Sequence, residues 1–172
     1  MQDEVAENLK NYLQRMTPLL FSVFLIMLSY VPLDFPLANN IRPAVGMVCV
    51  YYWIIHRPDL FNLVSVYLLG LFEDVLSEVP LGTNIFTLLV LYLLLLNLAR
   101  FFNGKPFVVT WYGFAILSFV AFFAKWLILS VYYGQFLPVA LAFFSCLFSV
   151  AAYPVLSLMN AFVQNYLIQD EV

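Results

Sequence analysis

Charge is what this sequence has least of: 10% of its 172 residues are Asp, Glu, Lys or Arg, against about a quarter in soluble domains. That scarcity excludes a water-facing exterior, because too few polar groups exist to cover a chain that is 65% apolar. No basic run is present and the net charge is −3, so the phosphate contacts that drive nucleic-acid binding have no source. The single histidine, His56, and the two cysteines, Cys49 and Cys146, give no ligand set at zinc spacing. Both cysteines fall in apolar runs, where a thiol acts as a small hydrophobe. A phosphate-binding glycine loop, a nucleophile elbow and paired histidines are also missing, so neither a catalytic set nor a cofactor is predicted. No polar stretch is long enough for a separate soluble domain, and residues 1–172 read as one membrane domain.

What the chain does have is long apolar runs separated by short breaks. The expected fold class is all-α, a polytopic transmembrane bundle of about six helices with short loops. The spans fall at about 17–33, 41–56, 59–77, 83–100, 107–133 and 136–163. Pro32-Leu33-Asp34-Phe35-Pro36, His56-Arg57-Pro58, Pro80-Leu81-Gly82, Asn103-Gly104-Lys105-Pro106 and Tyr133-Gly134-Gln135 punctuate them. Ahead of the first span, residues 3–16 place Val5, Leu9, Tyr12, Leu13 and Met16 on one face and predict an interfacial amphipathic helix contacting membrane lipids. Gln2-Asp3-Glu4 lacks the basic start of a cleavable signal, so the first apolar stretch is expected to stay as a membrane helix. Five of the seven basic residues, Lys10, Arg15, Arg57, Arg100 and Lys105, gather on one side of such a bundle, which predicts cytoplasmic termini. Asp34, Arg42, Glu78 and Gln135 then lie near the outer face.

The third span holds Gly70-Leu71-Phe72-Glu73-Asp74 and runs into Ser77-Glu78-Val79-Pro80-Leu81-Gly82. Two adjacent carboxylates in an apolar helix are costly and need partners or water, which marks Glu73 and Asp74 as candidate functional residues. Tyr67, Gly70, Asp74 and Ser77 share one stripe, whereas Glu73 points about 100° away from Asp74. Asp74 is expected inward, holding the Pro80-Leu81-Gly82 turn; Glu73 either shares the interior or reaches the outer headgroups. Lys125, deep in the fifth span, lies near the same depth and either neutralises one of these acids or snorkels to outer phosphates. Trp53 with Tyr51 and Tyr52 beside Arg57 suit an interfacial aromatic anchor, and so does His56. In the sixth span Ala142, Ser145, Ser149 and Ala152 form a small-residue face for packing inside the bundle or against a partner helix, and Pro154 is expected to kink it.

Arg42-Pro43, Tyr52-Trp53, Arg57-Pro58, Gly70, Asp74 and Pro80-Leu81-Gly82, in this order and spacing over residues 41–100, resemble the bacterial rod shape-determining protein MreD family. The chain departs from that pattern at Glu73, where the family has a hydrophobic residue, and at Glu78, where it often has glycine. The resemblance implies a non-enzymatic scaffold of the cell-elongation machinery in the bacterial inner membrane, which maintains rod shape while peptidoglycan is made. It further implies direct binding of MreC, a protein with one membrane helix and a periplasmic domain, within an assembly that holds MreB, RodA and the elongation transpeptidase. The architecture it implies is similar to the substrate-binding components of energy-coupling-factor transporters, an analogy of fold only. A second function stays open beside the scaffold: a membrane subunit binding a small molecule or lipid-linked ligand, with Asp74 and Lys125 lining a cavity.

Overall fold

A computed structural model describes the backbone of residues 2–31, 42–77 and 79–168, and the side chains within those ranges from 16 to 166. Asp34, Glu78 and the side chains of the expected amphipathic face before Met16 lie outside these residues. Six helices run in order: α1 Gln2–Tyr30, α2 Val45–His56, α3 Leu63–Leu76, α4 Thr83–Phe102, α5 Phe107–Tyr133 and α6 Val139–Val163. A π turn, Gln164–Ile168, extends α6. No strand occurs among the described residues. Segments 3–16 and 17–33 are expected as separate units, but α1 is continuous across the boundary between them, from Gln2 to Tyr30, and passes Pro18; residues 32 and 33 lie outside the described residues. Ser22 lies one turn further along and donates to the Pro18 carbonyl at 2.7 Å.

The organising element is the shortest helix. α2 has 12 residues and every one from Val45 to Ile55 is buried, because it is apolar on all sides and a helix of that kind must be enclosed. α1, α3, α4, α5 and α6 all pack on it. Trp53 and Tyr51 are 0% exposed and Tyr52 is 4% exposed, so the expected interfacial aromatic anchor is instead the centre of the core. The sequence reading placed these rings by their nearness to Arg57, whereas burial follows from the position of α2 inside the ring of other helices. Tyr51 stacks edge-on against Phe114 and Tyr153 and donates its hydroxyl to the Thr110 carbonyl at 2.8 Å, tying α2 to α5 and α6. Tyr52 donates to Gln164 Oε1 in the π turn at 2.9 Å. His56 alone of this group is exposed, stacked on the Tyr52 ring.

The outer surface is apolar. Val131 is 81% exposed and Phe136 90%, and three helices, Thr83–Phe102, Phe107–Tyr133 and Val139–Tyr166, are long and apolar enough to cross a membrane. With hydrocarbon as solvent no water is at hand to rescue a broken helix bond, and α6 shows how the chain copes. Pro154 lacks an N–H and leaves the carbonyl four residues back, on Val150, without its helical donor. The Trp111 indole of α5 donates to that same carbonyl at 2.9 Å. Ser149, from the small-residue face, accepts the Ala44 N–H at 2.8 Å and so caps the start of α2.

If Trp111 serves Val150 because Pro154 cannot, the two residues are energetically coupled. Trp111→Phe is expected to lower stability in detergent by about 1–2 kcal/mol, while the same change in a Pro154→Ala background costs much less, since alanine at that position restores the helical donor. Thermal melting of the four proteins checks this, and equal losses in both backgrounds would sink it.

Candidate functional site

The polar residues converge where α3 ends and α2 and α4 begin. On α3 the buried stripe is Val66, Leu69, Gly70, Glu73 and Asp74. Its centre falls between the two acids, so each flanks the stripe and faces a different neighbour. Tyr67 lies just beyond its edge and is 47% exposed, which removes it from the polar stripe expected from its spacing. Gly70 lets the backbone of α4 come close: a Cβ built there would lie 2.7 Å from the Ile85 Cα.

Asp74 is 2% exposed and spends its charge on α4. Its carboxylate accepts the Gly82 N–H at 2.8 Å, the Asn84 N–H at 2.8 Å and the Ile85 N–H at 3.3 Å. These are the N–H groups that a helix start leaves without internal partners, at the positive end of the helix dipole. Gly82 precedes the helix at φ 97°, a left-handed conformation that glycine adopts without a Cβ penalty. Pro80 completes the turn, its carbonyl accepting the Thr83 hydroxyl at 2.7 Å.

Glu73 is 8% exposed, its side chain enclosed within the bundle. It faces the first turn of α2, where a Cβ built on Gly46 would fall 2.7 Å from its Oε2, and it meets the Gly46 backbone N–H. The adjacent acids thus address two helix starts at once. Lys125 donates to Asn84 Oδ1 at 2.7 Å, and among the described residues no ion pair within 4.0 Å joins it to either acid. Asn84 also donates from Nδ2 to Ser77 Oγ at 2.9 Å, so it sits between the lysine and the aspartate as a neutral spacer. At the same end Arg42 is exposed, its guanidinium 5.1 Å from the centre of the Tyr30 ring, and Pro43 accepts the Val45 N–H at 2.9 Å.

Reading the sequence missed Asn84 and Gly46. The signal for Asn84 was a polar residue in the first turn of an otherwise apolar helix, just after the glycine of a turn; Gly46 is the only glycine in α2. Two further polar atoms, Trp53 Nε1 and Asn160 Oδ1, are buried without a partner among the described residues. No group of three His, Cys, Asp or Glu that could hold a metal occurs among the described residues. An apolar crevice between α5 and α6, about 60 Å³ and lined by Phe119, Phe122, Trp126 and Phe143 among others, lies apart from the charged groups.

A sequence model of the family described as rod shape-determining protein MreD matches residues 10–167. No curated protein and no solved structure matches the chain.

The geometry makes distinct demands of Asp74 and of the Asn84–Lys125 pair. Asp74→Ala is expected to cost about 2–3 kcal/mol, since it strands three buried N–H groups, and Asp74→Asn less, because one acceptor oxygen remains. Asn84→Leu and Lys125→Met should be non-additive by about 1 kcal/mol in a double-mutant cycle read by thermal melting. Additive losses would mean that the lysine and asparagine do not act as a pair.

Proposed function

This chain belongs to the rod shape-determining protein MreD family, and we propose that it is a non-enzymatic scaffold that binds MreC within the bacterial inner membrane. In this reading it is a multi-pass protein with cytoplasmic termini, joined through MreC to the machinery that holds MreB, RodA and the elongation transpeptidase. The observation that carries the scaffold over a ligand-binding subunit is the internal use of the polar groups. A small-molecule site needs several free groups converging on a cavity. Here Asp74, Asn84 and Lys125 are each engaged with another part of the chain, and Glu73 is turned toward α2.

A protein with short connections, its charged groups turned inward, recognises its partner laterally, helix against helix. The small residues of α6 face inward in part, with Ser149 bonded to Ala44, so a partner helix meets the outward residues of that helix, among them Phe148, Val155 and Leu158. On α3 the corresponding positions are Val64, Leu68 and Val75.

Purification of the tagged chain from membranes in mild detergent is expected to bring MreC with it in near-stoichiometric amount. A stoichiometric small molecule or lipid-linked ligand without MreC would reverse the assignment. Single cysteines at the outward positions of α3 and α6 should cross-link to MreC in intact cells from at least one of the two helices; silence from both puts the contact elsewhere.

A further inference from the structure

The chain has three tryptophans, and the fold treats their indoles unequally. Trp111 donates to the Val150 carbonyl at 2.9 Å and Trp126 to the Leu137 carbonyl at 3.0 Å. Trp53 is 0% exposed, and its Nε1 is buried without a partner among the described residues. Asn160 of α6, also 0% exposed, has the converse need. Its Nδ2 donates to the Leu156 carbonyl at 2.8 Å, one turn back along the helix, while Oδ1 on the other branch of the amide is buried and unpartnered. Within a hydrocarbon-bathed bundle an orphaned donor or acceptor is costly, because bulk water does not reach it.

Both groups belong to one junction of three helices. Cys49 of α2 meets the side chains of Ser22 on α1 and Asn160 on α6. Trp53 follows Cys49 by one turn on the same face of α2. Gln164 follows Asn160 by one turn and receives the hydroxyl of Tyr52, the residue beside Trp53. Asn160 is thereby bracketed between the turn of Cys49 and the turn of Trp53. α1 closes the junction with Ser22 and Ile26, both 0% exposed, so neither lipid nor a partner helix reaches it.

We infer that this junction is a binding site for one buried water, which accepts the Trp53 indole N–H and donates to Asn160 Oδ1. Water fits the pair because a single atom both accepts and donates. A cation would serve Oδ1 and repel the N–H, and an anion would do the reverse. Ser22 and Cys49 are the neighbours for the remaining proton, which brings the partners to about three, the usual number for an internal water. The way in is short: His56, exposed at the end of α2, is three residues from Trp53, about 4.5 Å of rise. The inference rests on the packing of α1, α2 and α6 and not on MreC binding, so the co-purification above is unaffected by its outcome.

The test uses the full chain in detergent micelles with nitrogen-15 tryptophan. The Trp53 indole resonance, assigned by elimination with Trp111→Phe and Trp126→Phe, is expected to show a nuclear Overhauser cross-peak to water that the Trp111 indole lacks. Asn160→Leu should abolish this cross-peak, whereas Ser22→Ala and Cys49→Ala should each retain it, which separates a bound water from a signal relayed through an exchanging hydroxyl or thiol. In thermal melting, Trp53→Phe should lower the midpoint less than about half as far in the Asn160→Leu background as in the wild type. A folded wild-type protein without the cross-peak overturns the inference, and so does a cross-peak unchanged by Asn160→Leu. Coupled melting without a cross-peak also overturns it, because the indole and the amide then bond directly. If Asn160→Leu fails to fold, the wild-type cross-peak and its two retained controls decide alone.

Discussion

One carboxylate joins α3 to the start of α4. Asp74, buried on α3, accepts three N–H groups from the start of α4, and in an apolar surrounding no water stands ready to replace it. A charge at such a site is tolerated because the helix end offers both aligned donors and a positive dipole. Backbone contact makes this geometry reachable: Gly70 lets α4 lie against α3 at Ile85, and the left-handed Gly82 turns the chain back so that its own N–H points at the acid. Glycine, aspartate and the Pro80-Leu81-Gly82 turn therefore form one device rather than three separate features.

The same logic extends to the enclosed helix. α2 brings no charge into the bundle, yet its start is held by polar groups from other helices and its end by its own backbone cap. Ser149 of α6 and Glu73 of α3 meet its first turn, while the Arg57 N–H closes its last on the Trp53 carbonyl at 2.8 Å. Between those ends the contacts are aromatic and edge-on, centred on Tyr51. These contacts tie the enclosed helix to α5 and α6 through one tyrosine.

How far the sequence was legible depended on which physical rule governed each residue. Composition alone required lipid as solvent, and the end of α5 at Gly134 followed from its turn chemistry. The inward Asp74 followed from spacing, since small residues bracket it one turn to either side. Trp53 was misplaced because aromatic residues beside arginine suit both an interface and a core, and only the enclosure of α2 by five other helices separates the two. Tyr67 failed for a finer reason: the buried arc of α3 is centred between Glu73 and Asp74, and a residue on the far side of Asp74 falls outside it. Asn84 was invisible as a partner of Lys125 because charge counting looks for opposite charges, and a neutral amide satisfies a lysine and a serine hydroxyl at the same time.

Uneven helix length gives these observations a common direction. The enclosed α2 and the neighbouring α3 are too short to span a membrane on their own, so the polar ends of both lie closer together than two headgroup layers ordinarily stand. α5 brings one charge, Lys125, to the cluster around Asp74 and Asn84, and α6 brings none. One flank of the molecule thus carries a short helix and the other apolar helices of full membrane length, so the two present unlike surfaces to the membrane around them.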